Sequence, residues 1–203
     1  MKRLIFILIF SIFLFSCAKR GDSFVNQAGE ATRRHDYEKA ESLYLRALEE
    51  ESNYSPALLY SLLANVKMAQ GDLDSATDWL EKSVNFRPDY RLLVTLGATY
   101  VTLGKTDKAE NALFRAISLN PKKGEALAQL GAIRISQKKY EEAKSLLEQG
   151  ATAEPRLAVI HANLAIALAK LGKTAESEEE FKKAEELKCE NLSSFRARAA
   201  SLD

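Results

Sequence analysis

Histidine, cysteine and proline are scarce in this 203-residue chain, with two, two and four copies. Cys17 and Cys189 lie near opposite ends, which argues against a disulfide framework. His35 and His161, with so few thiols beside them, assemble neither a zinc-ligand set nor a nucleophile–histidine–acid triad. No catalytic residue, metal or cofactor is therefore expected, and the chain reads as a non-enzyme. Four prolines and nine glycines are too few for a long disordered linker. An excess of positive charge is also missing. With 29 basic and 28 acidic residues, the net charge of +1 offers nothing to a nucleic-acid backbone. A hydrophobic run of spanning length is absent too. Residues 4–14 are apolar apart from Ser11, but a bilayer asks for about 18 or more, whereas a signal-peptide core needs only about 7–15.

What is present begins with that run. Met1-Lys2-Arg3 forms a short basic start, and Leu14-Phe15-Ser16-Cys17 follows the apolar stretch. This tetrapeptide resembles a bacterial lipobox: aliphatic at −3, small at −1, cysteine at +1. The resemblance implies that residues 1–16 are a lipoprotein signal peptide and that the Cys17 thiol carries a diacylglycerol by thioether. The new amino terminus would then be acylated, typically with palmitate. Residues 17–22 would be a tether. Two or more acyl chains anchor stably where one is marginal. Ala18, in place of an aspartate, implies the outer membrane with the body facing the periplasm. An uncleaved anchor and a secretory peptide cut elsewhere are the alternatives.

The rest of the chain repeats itself. Shifting residues 90–123 by 34 places lays Leu96-Gly97 on Leu130-Gly131, Ala109 on Ala143, Ala116 on Gly150 and Pro121 on Pro155. A small residue recurs as Ala28, Ala64, Gly97, Gly131 and Ala165, and another as Ala40, Ala76, Ala109, Ala143 and Ser177. A third small column runs Ala47, Ser83, Ala116, Gly150 and Ala184. Large side chains recur as Tyr44, Leu80, Leu113, Leu147 and Phe181, and as Gln27, Leu63, Leu96, Leu130 and Leu164. Helices of a hairpin approach closely where facing side chains are small, and large ones fill the space that remains.

A 34-residue period with this pattern resembles the tetratricopeptide repeat family. The resemblance implies an all-α fold: a right-handed superhelical solenoid of five helix–turn–helix repeats over residues 23–191. The repeats fall at about 21–54, 57–89, 90–123, 124–157 and 158–191. Gly71, Gly104 and Gly172 sit where first helices end and a left-handed residue is needed, with His35 and Lys138 in the same place elsewhere. Pro88, Pro121 and Pro155 close second helices. Residues 192–203 are too short for another hairpin. Phe195, Ala199 and Leu202 form one apolar stripe, so this segment is predicted to be a capping helix that shields the last repeat.

By the same resemblance, first helices line a concave groove. Its partner-facing positions would be Leu58, Ser61, Asn65 and Met68 in the second repeat, and Arg91, Val94, Ala98 and Val101 in the third. The fourth would supply Ala128, Ala132 and Ile135, and the fifth Ala162 and Ile166. The surface is mostly small and apolar with charges at its edges, which suits a helix or extended segment bearing apolar side chains. Only Asn65 matches the family's carboxylate clamp, so acidic peptide ends are not the expected ligand.

Other features have plainer readings. Gly104-Lys105-Thr106 and Gly172-Lys173-Thr174 end like a phosphate-binding loop, but Thr99 and Ala167 stand where that loop needs glycine. No nucleotide is expected. His161 occupies a packing position and Trp79 belongs to the core. Cys189 is read as a half-buried turn residue. Glu178 and Glu179 are placed to pair with Lys182 and Lys183 four residues on. The function expected is a membrane-anchored scaffold or adaptor in the bacterial envelope, binding other proteins through an apolar groove, for example in assembly of a pilus or secretin. A structural homo-oligomer and a regulator of a cell-wall enzyme are the other readings.

Overall fold

The computed structural model describes residues 19–201. Cys17 and the lipobox lie outside the described residues, as does Leu202. The described residues form eleven α-helices and no strand, as the repeat pattern requires. The described residues divide into two compact units, one ending at Arg87 and the other beginning at Pro88.

The first unit contains two hairpins: α1 (Arg20–Arg33) with α2 (Tyr37–Glu49), and α3 (Pro56–Gln70) with α4 (Leu73–Phe86). Local chemistry starts these helices. Asp36, Ser55 and Asp72 each accept a backbone N–H from the first turn of α2, α3 and α4 respectively, and Pro56 opens α3 with its fixed φ. The first hairpin is also tied at its base. Asp22 accepts from the Ser52 hydroxyl at 2.8 Å and from the Asn53 backbone and side-chain nitrogens at 2.7 and 2.6 Å. Those bonds hold its carboxyl below the usual carboxylate range.

The second unit contains three hairpins and one further helix. The hairpins are α5 (Tyr90–Thr102) with α6 (Thr106–Leu119), α7 (Glu125–Ser136) with α8 (Tyr140–Ala153), and α9 (Ala158–Lys170) with α10 (Thr174–Glu186). The last helix is α11 (Leu192–Ala200). The turns after α1, α3, α5, α7 and α9 put His35, Gly71, Gly104, Lys138 and Gly172 at φ between 59° and 80°. One left-handed residue thus ends every first helix, whether or not the sequence supplies glycine. Lys188 adopts the same conformation after α10.

The seam inside each hairpin is closed. Ala28, Ala40, Ala64, Ala76, Ala109, Ala143 and Ala165 are all 0% exposed, as are Leu80, Leu113 and Leu147. The small and large columns meet directly. A Cβ added at Gly97 would lie 2.7 Å from two Leu113 carbons, and one at Gly131 would lie 2.5 Å from Leu147 Cγ. These glycines are glycine because a leucine occupies the space of a methyl group. The two serines in the small columns satisfy their own hydroxyls. Ser83 donates to Ala57 O at 2.7 Å and Ser177 donates to Ala165 O at 2.8 Å. Gln27 departs from its leucine column and is exposed, its amide bonded to Ser23 on the same helix.

Candidate functional site

In the first unit, the positions expected to face a partner lie on α3. Leu58 is 42% exposed, Asn65 is exposed and Met68 is half-buried. Ser61 is buried, and its hydroxyl donates to the Leu58 carbonyl at 2.8 Å. These four do not form one uniform surface.

In the second unit, the corresponding face of the first helices is concave. A cavity of about 600 Å³ is lined by Arg91, Val94 and Thr95 of α5, Glu125, Ala128, Gln129 and Ala132 of α7, and Val159 and Asn163 of α9. Phe195 and Arg198 of α11 complete it. A second cavity, of about 450 Å³, is lined by Ala98 and Val101 of α5 and Gln129, Ala132, Ile133 and Ser136 of α7, again with Arg198. The structure therefore brings Arg91, Val94, Ala98, Val101, Ala128 and Ala132 together. The small side chains create the room, because the helix backbones can be reached over them. Val101 is 45% exposed, and Ala128 forms floor at 3%.

Ile135, Ala162 and Ile166 are 7%, 0% and 1% exposed and belong to packed structure. On α9, which packs against α7, α8 and α10, α11 adds a further cover. This helix lies chiefly on α9, and Leu192, Phe195 and Ala199 pack against the cluster that contains Leu164, Ile166 and Phe181. Lys170 Nζ donates to the Ser201 carbonyl, and Arg196 pairs with Glu178 Oε2 at 2.9 Å. The Arg196 guanidinium also sits 4.5 Å above the Phe181 ring. The capping segment thus contributes Phe195 and Arg198 to the very cavity it borders. The sequence pattern placed Phe195 on the stripe of the capping helix, but it marked neither Phe195 nor Arg198, Gln129 or Asn163 as a cavity residue. Both amides are notable. Gln129 Oε1 and Asn163 Oδ1 are buried without a hydrogen-bond partner in the protein, and Asn163 is only 3% exposed. A buried unpaired acceptor costs about 1–3 kcal/mol.

Electrostatics outside this face serve the scaffold. Arg134 on α7 makes two parallel bonds to Glu110 on α6, at 2.5 and 3.0 Å, and reaches Glu142 on α8 at 2.9 Å. The bonds from Arg134 hold the Glu110 carboxyl below its ordinary range. His161 is buried at 7% exposure, with Nε2 2.8 Å from Pro155 O and Nδ1 2.6 Å from Glu180 Oε2. Both nitrogens are engaged in holding α9 to its neighbours, which is the packing role expected of this residue. Glu180 also takes Lys183 at 2.6 Å, so the acidic run pairs through Glu180–Lys183 and Glu178–Arg196 and not through the i, i+4 pairs expected. Glu180 thus keeps a local partner one residue nearer than expected, while Arg196 of α11 takes Glu178. Trp79 is half-buried and stacks on Tyr60, with ring centroids 5.8 Å apart. Cys189 is a half-buried turn residue. Burial, and then Glu190, push its thiol upward, the opposite of an activated thiolate.

Comparison with known proteins agrees with the fold. The tetratricopeptide repeat pattern matches residues 31–97, 100–157 and 158–189. The CTR9 homolog of Arabidopsis thaliana is 28% identical over 145 residues, which are 67% of this chain and 13% of that protein. BBS4, a BBSome complex member of Bos taurus, is 34% identical over 77 residues, 37% of this chain and 15% of that protein. The chain spans a small part of either relative. Among solved structures, MamA superposes with a TM-score of 0.70 at 20% identity, covering 90% of this chain and 97% of that one. YrrB, described as a TPR protein with an unusual peptide-binding site, superposes at 0.65 with 24% identity, covering 86% of this chain and 90% of that one. At such identities the likeness speaks to the fold alone. The helical hairpins, their closed seams and the matched repeat pattern lead to one conclusion: this chain belongs to the tetratricopeptide repeat family.

Proposed function

We propose that the chain is a lipid-anchored adaptor of the bacterial cell envelope, which binds a protein segment on the α5–α7–α9 face of its second unit. The observation that carries this reading is the pair of cavities lined by Ala98, Ala128 and Ala132, with Arg91 lining one and Ser136 the other. Small floor residues, an apolar lining and unpaired amide acceptors suit a peptide segment with apolar side chains and free backbone N–H donors. YrrB, which shares the fold, is described as having a peptide-binding site. Ala132→Arg fills both cavities with a long charged side chain. It should leave the melting temperature nearly unchanged and abolish partner capture; undiminished capture would refute the site.

The anchor is the second part of the proposal. It rests on Leu14-Phe15-Ser16-Cys17 after a short apolar run. Lipid on Cys17 would hold the repeats at the periplasmic face of the outer membrane, where an adaptor gathers components of an envelope machine such as a pilus or secretin. No helix among the described residues is long and apolar enough to cross a membrane. Metabolic labelling with palmitate should mark the wild-type protein and not Cys17→Ala. Equal labelling, or none in either, would remove the anchor from the proposal.

A further inference from the structure

The face of α9 that the repeat pattern assigns to a partner already has an occupant. α11 is nine residues long and contains no fully buried residue. Asn191, the residue just before it, is left-handed at φ 56° and gives no side-chain cap. A helix this short is marginal in water without tertiary support. What holds it is a small set of contacts: Leu192, Phe195 and Ala199 on the apolar cluster, the Arg196–Glu178 pair, and the bond from Lys170. The helix is basic, with Arg196 and Arg198, and Arg196 meets the Glu178 carboxylate. Beneath this arrangement lies Asn163, almost wholly buried, with an acceptor no protein group satisfies. Asn163 and Phe195 line the same cavity, so withdrawal of Phe195 opens the space around that amide.

We infer that α11 is a displaceable resident of a helix-docking site on α9, and that the partner which replaces it is a basic amphipathic helix with an aromatic anchor. The partner would seat its aromatic ring where Phe195 now sits and place a cation against Glu178. It would bring a donor to Asn163, which α11 does not provide. α11 would then act as a built-in competitor that sets how tightly a partner must bind to enter. This extends the proposed docking face from α5 and α7 to α9 and rests on that reading of the face.

The test uses the full chain and a synthetic peptide of residues 190–203, carrying fluorescein at its N-terminus. Two substitutions loosen the resident helix without touching α9: Phe195→Asp removes the anchor, and Arg196→Glu, at a side chain 40% exposed, removes the ion pair. Both variants should bind the peptide at least tenfold more tightly than the wild-type chain does, by fluorescence anisotropy. A peptide carrying Phe195→Asp should not bind. Amide exchange in the wild-type chain should be at least tenfold faster across residues 193–200 than across 160–168. If Arg196→Glu is folded by circular dichroism and does not bind the peptide, or if the altered peptide binds equally well, the inference fails. Equal protection of α11 and α9 would overturn it as well. Peptide exchange without any partner on the α5 face in cells would refute the adaptor reading and support this one; partner capture with no exchange would do the reverse.

Discussion

The seams inside the hairpins and the outward face of the first helices follow opposite rules. Every seam is closed in the same way in both units, with alanine or serine at 0–3% exposure, or buried glycine, against buried tyrosine, leucine or phenylalanine. The face differs from helix to helix: Leu58 on α3 is 42% exposed and Val101 on α5 45%, while Ile166 on α9 is 1%. A seam residue answers to a partner inside its own repeat, so the same solution recurs every 34 residues. A face residue answers to whatever lies across from it, and that is not periodic. Seam residues should therefore determine stability and face residues binding.

Substitutions can break or sharpen that contrast. The largest effect is expected at Leu147, which is fully buried against Gly131. Leu147→Ala should cost about 2–5 kcal/mol in denaturant unfolding, since the cavity it leaves can relax only partly. Gly131→Ala comes next. Its new methyl meets Leu147 Cγ, and the cost should be about 1–3 kcal/mol, less up to about 1 kcal/mol regained from helix propensity. Combined with Leu147→Ala, the same change should become neutral or stabilising. Additive costs in the double variant would show that the two columns do not touch.

A smaller effect is expected at Glu110, whose carboxylate is held by Arg134 between α6 and α7. Glu110→Gln should cost about 1 kcal/mol near neutral pH, the upper end for a part-exposed pair. Because the folded protein depresses this acid, its contribution is present above the unfolded acid's titration and lost as pH falls through the folded one. The gap between wild type and Glu110→Gln should thus close in acid, and a gap independent of pH would remove the ion pair from the account. The smallest effect belongs to the face. Val101→Ala should change stability by no more than about 0.5 kcal/mol.

How much was legible follows from the same contrast. The five small and large columns were readable because packing inside a hairpin repeats. So were the left-handed positions, even where histidine or lysine replaces glycine, because the turn recurs at a fixed offset. Phe195 and Arg198 were not readable as cavity residues, since a helix that folds back over its neighbour leaves no period behind. A clue did exist in α9. Residues 160–168 are all buried, and their sequence is apolar on every side apart from His161 and Asn163. A helix apolar all round is covered all round, which points to a cover over α9 that its neighbours lack. The Arg134–Glu110 bridge was equally invisible, because the two residues share no repeat position.

Partners are expected to dock on the α5–α7–α9 face and not on the outer surface of the repeats. A photo-crosslinking residue at Ala98, on the cavity wall, tests it against one at Phe114, a second-helix residue 49% exposed. In living cells, Ala98 should give a discrete adduct with one protein, and that adduct should vanish when Ala132→Arg is added. Phe114 should give none. Adducts of equal yield from both positions, or an Ala98 adduct indifferent to Ala132→Arg, would contradict the account.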